Sequence, residues 1–192
     1  MKVGIFGGTF DILHEGHEAI IKDMLNRVDI LYLIPTTVNY YRQNTAMFTF
    51  GERLFNLEKA IIWNALRDSR FNKIIVSDIE RDKDKYWSFA DTLKVIKKRY
   101  PTATIYVAMG DDSLNNLKTW RDWESIAKNS IIYSYGRPGY QLNEFDLKEV
   151  SYFHVPLNID KSSSEIRTEL RDMSDDDYKD IKENFYWKNK YI

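Results

Sequence analysis

The sequence predicts a Rossmann-like α/β fold, a mostly parallel sheet of about six strands with helices on both faces, and three observations predict it. Short β-branched or aromatic runs recur at residues 2–6, 30–34, 73–79, 104–109, 130–134 and 152–155, each bounded by turn residues or a polar helical pattern. Segments with apolar residues at helical spacing lie between them, and parallel strands need long crossovers of that kind. A chain of 192 residues, 43% of them hydrophobic, is long enough for one well-buried core, so a single domain over 1–192 is expected.

Each element follows in order. The first strand runs into Gly7 and Gly8, and the next helix carries Ile20, Ile21, Met24 and Leu25 on one face. After the second strand, residues 36–49 show no regular pattern and contain Asn39, Tyr40, Tyr41, Arg42 and Gln43, where α/β folds place substrate loops. This stretch is the expected mobile element. Leu54, Leu57, Ile61 and Ile62 mark a second helix, and Leu93, Ile96 and Tyr100 a third that ends before Pro101. The mixed charges of Arg81, Asp82, Lys83, Asp84 and Lys85 suit a solvated loop. A C-terminal helix over 174–188 is expected to start at Ser174, with Asp175 to Asp177 complementing its positive end and Tyr178, Ile181 and Phe185 packing on the parent domain.

Composition removes several classes of function. With 28 basic and 29 acidic residues the formal charge is −1, so there is no global field to capture nucleic acid or an anionic membrane, and any anion site must be local. The 5 tryptophans and 13 tyrosines are not interleaved with a basic stripe, which disfavours a single-strand binding module, and Trp63, Trp87 and Trp123 are expected to pack. Zero cysteines exclude disulfides, thiolate zinc sites and cysteine nucleophiles. Neither a signal-peptide core nor a run of membrane-spanning length is present, and a cytoplasmic address is expected. Self-association is left open.

The stretch that carries chemistry is "GGTFDILHEGH", residues 7–17. Glycines between a first strand and a helix let bare amides approach a ligand, and the positive helix end adds to them, so an anion is the natural occupant. His14 and His17 are three residues apart near that end and can face one ligand. Zinc is a weaker reading, because it wants further ligands and the chain offers only His154, in a distant strand. No resident metal is expected.

This stretch resembles the GGTFDPxHxGH signature of the nucleotidyltransferase superfamily, and three further motifs follow collinearly: "MGDDSLNNLKTW", "GRPGY" and "SSSEIR". Together they resemble bacterial nicotinate mononucleotide adenylyltransferases over about residues 2–186. The resemblance implies a Rossmann-like nucleotidyltransferase fold and the transfer of AMP from ATP to nicotinate mononucleotide, with pyrophosphate released, in NAD biosynthesis. It implies Mg²⁺ arriving with ATP. On the ATP side it implies Gly7, Gly8, Thr9, Phe10, His14, His17, Gly110, Asp112, Arg137, Ser163, Ser164, Ile166 and Arg167, with His14, His17 and Arg167 catalytic. On the mononucleotide side it implies Thr9, Arg42, Phe89, Thr92, Asp112 and Trp120, the last stacking on the pyridine ring.

Three departures bear on substrate choice. Asn39-Tyr40-Tyr41-Arg42 replaces the family's Pro-Pro-His-Lys, Phe89 stands where a threonine near the pyridine acid group is expected, and Ile12 replaces a proline. Nicotinamide mononucleotide, or both mononucleotides, therefore stays open as substrate. A pantetheine-phosphate adenylyltransferase fits "GRPGY" less well. A non-catalytic nucleotide sensor of the same fold is a further alternative, which the intact His14, His17 and Arg167 argue against.

Overall fold

The computed structural model describes residues 1–37, 46–83, 87–136, 141–143, 147–157, 159 and 168. Six strands are described: β1 (Lys2–Gly8), β2 (Ile30–Pro35), β3 (Ile74–Val76), β4 (Thr104–Gly110), β5 (Ile131–Gly136) and β6 (Tyr152–Pro156). They form one sheet in the order β3-β2-β1-β4-β5-β6, with every pair parallel. Helices α1 (Glu15–Leu25), α2 (Phe50–Ala65), α3 (Phe89–Arg99), α4 (Asp111–Asn115) and α5 (Trp123–Asn129) connect them, with 3₁₀ turns at Ser69–Lys73 and Leu117–Thr119.

Strand alternation divides the core in two. Val3, Ile5, Tyr32, Ile34, Ile105 and Val107 pack with Ala90, Leu93 and Ile96 of α3 and Ile126 of α5 on one face. Phe6, Leu31, Leu33 and Ala108 pack with Ile20, Ile21, Met24 and Leu25 of α1 and with Leu57, Ala60 and Ile61 of α2 on the other. Both faces are therefore covered, as an all-parallel sheet requires. Ile62, expected on the buried face of α2, is 65% exposed, because that face is set by Leu54, Leu57 and Ile61 and the next residue turns outward.

One expectation met a different local structure. The run at 73–79 forms only the three-residue β3, since Ser69–Lys73 closes as a 3₁₀ turn and the ladder to β2 ends at Val76. Residues 111–129 hold three short helical pieces that give no long apolar period to read. The 174–188 helix lies outside the described residues, as does most of the 36–49 loop.

The strand order reverses between β1 and β4, so their carboxyl ends flank the point where open α/β sheets form a crevice. Helices α1 and α4 start there.

Candidate active site

Chain direction brings Gly7 and Gly8 to the end of β1, and α1 begins seven residues after Gly8, at Glu15. His14 is the residue that caps α1. Its Nδ1 accepts from the Gly16 N–H at 3.1 Å, and the Nδ1 of His17 accepts from the His14 N–H at 3.4 Å. Two histidines thus form a reciprocal capping box, a job usually done by Ser or Thr with Glu. The ring centroids lie 3.9 Å apart, with the planes tilted by 41°. A Cβ at Gly16 would stand 3.0 Å from the His14 ring, so any larger residue there would press on the imidazole that caps the helix.

The cap has a chemical consequence. A nitrogen that accepts an N–H carries no proton, so in each neutral ring the proton is assigned to Nε2. Both imidazoles are then Nε2–H donors held at the positive end of a helix. His14 is buried and His17 is half-buried, which makes His17 the more accessible of the two. Phe10 sits behind His17 with ring centroids 5.3 Å apart and is itself packed edge-on to Phe6 at 5.3 Å.

The 9–14 segment has no ladder to hold it, and Phe10 adopts a φ of +45°, a left-handed conformation that costs a non-glycine residue energy. Side chains from elsewhere supply the hold. The buried Asp11 carboxylate accepts from the Met47 and Phe48 N–H groups at 2.9 and 3.0 Å. The buried Arg53 guanidinium donates to the carbonyls of Thr9, Thr36 and Phe48. Burial pulls the Arg53 pKa below its usual value, against the charge of Asp11, which raises it.

Across the crevice, Gly110 ends β4, and Asp112 lies in the first turn of α4 with its carboxylate folded back over the glycine, where a Cβ would meet Oδ1 at 2.5 Å. Phe89, at the start of α3, packs its ring against the open side of Gly7 and meets Trp120 edge-on, centroids 5.9 Å apart. Thr92 is fully buried. Its hydroxyl accepts from the Trp87 indole at 2.8 Å and donates to the Glu80 carboxylate at 2.7 Å. It therefore braces the wall beneath Phe89 and presents no hydroxyl at the surface. Burial pushes the Glu80 carboxyl up, with the Thr92 hydrogen bond opposing.

Among the expected site residues, Gly7, Gly8, Thr9, Phe10, His14 and His17 come together at the β1 end, Gly110 and Asp112 at the neighbouring β4 end, and Phe89 and Trp120 as an aromatic pair. Arg42, Arg137, Ser163, Ser164, Ile166 and Arg167 lie outside the described residues. The sequence reading missed Arg53, whose signal was a cation beside Leu54 and Leu57 on a buried helical face. It also missed a cluster in which the buried Asp111 carboxylate accepts from the Ser134 hydroxyl and pairs with His154 Nε2 at 3.0 Å. No short-range pattern announces three residues on two strands and a helix.

A strand ending in two glycines, paired imidazole donors at a helix start and a crevice at the strand-order reversal define a phosphate-binding α/β site. The chain belongs to the cytidylyltransferase-like family, whose model matches residues 5–169. Within that family it stands with the nicotinate-nucleotide adenylyltransferases. A protein named "Probable nicotinate-nucleotide adenylyltransferase" from Aliarcobacter butzleri is 30% identical over 174 residues, covering 88% of each chain. Its namesake from Corynebacterium glutamicum is 30% identical over 160 residues, covering 81% of this chain and 69% of its own length. A nicotinic acid mononucleotide adenylyltransferase of Plasmodium falciparum, solved in complex with NaAD, has the same fold, with a TM-score of 0.77 at 23% identity over 96% of this chain and 97% of that one.

Proposed function

We propose that this protein transfers the adenylyl group of magnesium-ATP to nicotinate mononucleotide, in the biosynthesis of NAD. An oxygen of the mononucleotide 5′-phosphate forms a bond to the α-phosphorus as the bond to the bridging β-phosphate oxygen breaks, and pyrophosphate leaves with its electrons. The observation that carries the reading is the double-histidine cap, which fixes both imidazoles as Nε2–H donors at the N-terminus of α1.

The nucleophile needs no base, because a phosphate monoester with a second pKa of about 6 is already largely dianionic at neutral pH. The barrier lies in aligning two polyanions and absorbing the charge that grows on the α-phosphate and the leaving group. Donors fixed in advance do this without reorganising during the reaction. His17, the more accessible ring, is the proposed transition-state contact, with His14 behind it and the 7–10 backbone beside it. Asp112 is the proposed partner of a ribose hydroxyl, and Trp120 the stacking face for the pyridine ring. Arg167, with Ser163, Ser164 and Ile166, forms the second phosphate clamp in this reading, while Arg42 and Arg137 supply further cationic contacts.

Magnesium enters as part of the ATP substrate. Among the described residues no group of three or more His, Asp or Glu side chains could hold a metal ion. Among them, too, no helix is long and apolar enough to cross a membrane, and a cytoplasmic address belongs to the same proposal.

A second reading has one observation in its favour. Phe89 brings a hydrocarbon ring, not a hydroxyl, to the wall beside Gly7 and Trp120, which removes a donor that a pyridine carboxylate would use. Nicotinamide mononucleotide is therefore the competing substrate. Purified protein offered magnesium-ATP and either mononucleotide, with pyrophosphate release as the readout, tests both. The expected result is turnover with a higher kcat/KM for the nicotinate form; a higher value for nicotinamide mononucleotide reverses the assignment, and no turnover with either ends it.

A further inference from the structure

We propose that Arg53 is a positioning residue for the adenylyl-transfer site: its guanidinium holds the 9–14 loop in the shape that sets the His14–His17 pair. The inference rests on the reading of that site given above.

Arg53 is 4% exposed, and its donors go to carbonyls of three separate segments that meet at the mouth of β1. Nε reaches Phe48 at 3.3 Å, one terminal nitrogen reaches Thr36 at 3.0 Å, and the other reaches Thr9. The Thr9 and Thr36 carbonyls lie just beyond β1 and β2 and the Phe48 carbonyl just before α2, where neither sheet nor helix supplies a partner and a shielded acceptor must be satisfied some other way. A guanidinium can do this from one point because its five N–H groups spread in a rigid plane. A lysine ammonium cannot span the same three oxygens.

The contacts interlock. Thr36 gives its N–H to the Gly8 carbonyl at 2.9 Å and its own carbonyl to Arg53, so the ends of β1 and β2 are tied to α2 through one side chain. The Phe48 N–H donates to Asp11 and its carbonyl accepts from Arg53, so the two buried charges hold the two peptide groups that flank one residue. Thr9 directly precedes Phe10, the residue in the left-handed conformation, and the Phe10 ring backs His17 at 5.3 Å. Fixing the Thr9 carbonyl therefore fixes where Phe10 turns, and Phe10 fixes where the His17 ring stands. Arg53 itself reaches no imidazole; it acts through the backbone of the loop.

The test uses full-length Arg53→Lys and Arg53→Ala beside wild type and His17→Ala. Thermal unfolding reports folding, steady-state kinetics separate kcat from KM, and ring-proton NMR follows the histidines, of which the chain has 3. In folded variants kcat should fall by about 10–100-fold, the scale of a misplaced reacting group, while the KM for the mononucleotide stays within about threefold. The His14 and His17 ring signals should move without any substrate present, and that of His154 should not. Millimolar guanidinium should restore much of the lost kcat in Arg53→Ala and none in His17→Ala. A folded variant with wild-type kcat and unmoved His14 and His17 signals overturns the proposal, and so does a loss confined to KM. If Arg53→Ala fails to fold, Arg53→Lys decides by the same readouts. Wild-type protein that turns over neither mononucleotide would sink the reaction assignment instead, leaving the ring signals to judge Arg53.

Discussion

Two corners of the sheet sit side by side at its carboxyl edge and are built in opposite ways. At the end of β1 the histidines are held by their own sequence neighbours, His14 by Gly16 and His17 by His14, in a cap that closes within three residues. At the ends of β4 to β6 a buried carboxylate, Asp111, gathers Ser134 from 23 residues away and His154 from 43. The first corner keeps imidazole N–H groups as donors at a helix start. The second ties an imidazole to a carboxylate and so spends its histidine on joining strands. The same residue type caps a helix in one place and rivets strands in the other, and what differs is which group its partner nitrogen already serves.

That contrast sets the size of the effects expected from breaking each corner. The largest falls on His17: His17→Ala should lower kcat by about 10²–10³-fold with little change in KM, as loss of one preorganised donor does. Steady-state kinetics check it, and unchanged turnover would remove His17 from the chemistry. Asp11→Ala comes next, because it takes two charge-assisted acceptors from buried amides and leaves Arg53 without its opposing charge. Unfolding in urea should show a loss of about 3 kcal/mol, with kcat reduced alongside. His154→Ala should cost only about 1 kcal/mol, since its ring is partly exposed and the pair is screened, and should leave kcat within about threefold. A loss of turnover as large as that of His17→Ala would show the two corners to be one machine.

The smallest effect concerns the wall between them. Burial holds the Glu80 carboxyl above the ordinary glutamate range, so the folded state binds its proton more tightly than the unfolded state does. The associated stability is present below the ordinary range and is lost as the pH rises through the raised value. Glu80→Gln keeps an acceptor for Thr92 and carries no charge. It should therefore raise the unfolding temperature at neutral pH, and the gain should vanish as the pH is lowered past the carboxylate range. A gain that persists in acid would assign the effect to packing.

Much of the architecture was legible because it is written locally. Six short β-branched runs separated by amphipathic helices admit few arrangements, and the all-parallel sheet is the one observed. The first corner was legible for the same reason, since Gly7, Gly8, His14 and His17 fall within the 11 residues from 7 to 17 and their spacing implies a turn into a helix. The precise use of the histidines was not, because a side chain acting as N-cap looks in sequence like a side chain waiting for a ligand. Arg53 was passed over because buried-face positions are read for apolar residues, and a cation there belongs to loops that approach only after folding. Asp111 stands in the sequence only as the neighbour of Asp112, and the register of β5 against β6, which sets Ser134 beside His154, shows what it holds. The resemblance implies Thr92 as a mononucleotide contact, but not that its hydroxyl is already taken, since Glu80 and Trp87 reach it from the segment ahead of α3.

The double-histidine cap also decides how this corner would treat stray soft metal ions. Coordination needs an unprotonated ring nitrogen, and in each ring the one that qualifies is already occupied in tying the first turn of the helix. Offering the opposite nitrogen means moving the proton onto the tethered one, which undoes the same knot. By either route, chelation by these two rings competes with the hydrogen bonds that tie the first turn of the coil it would sit upon.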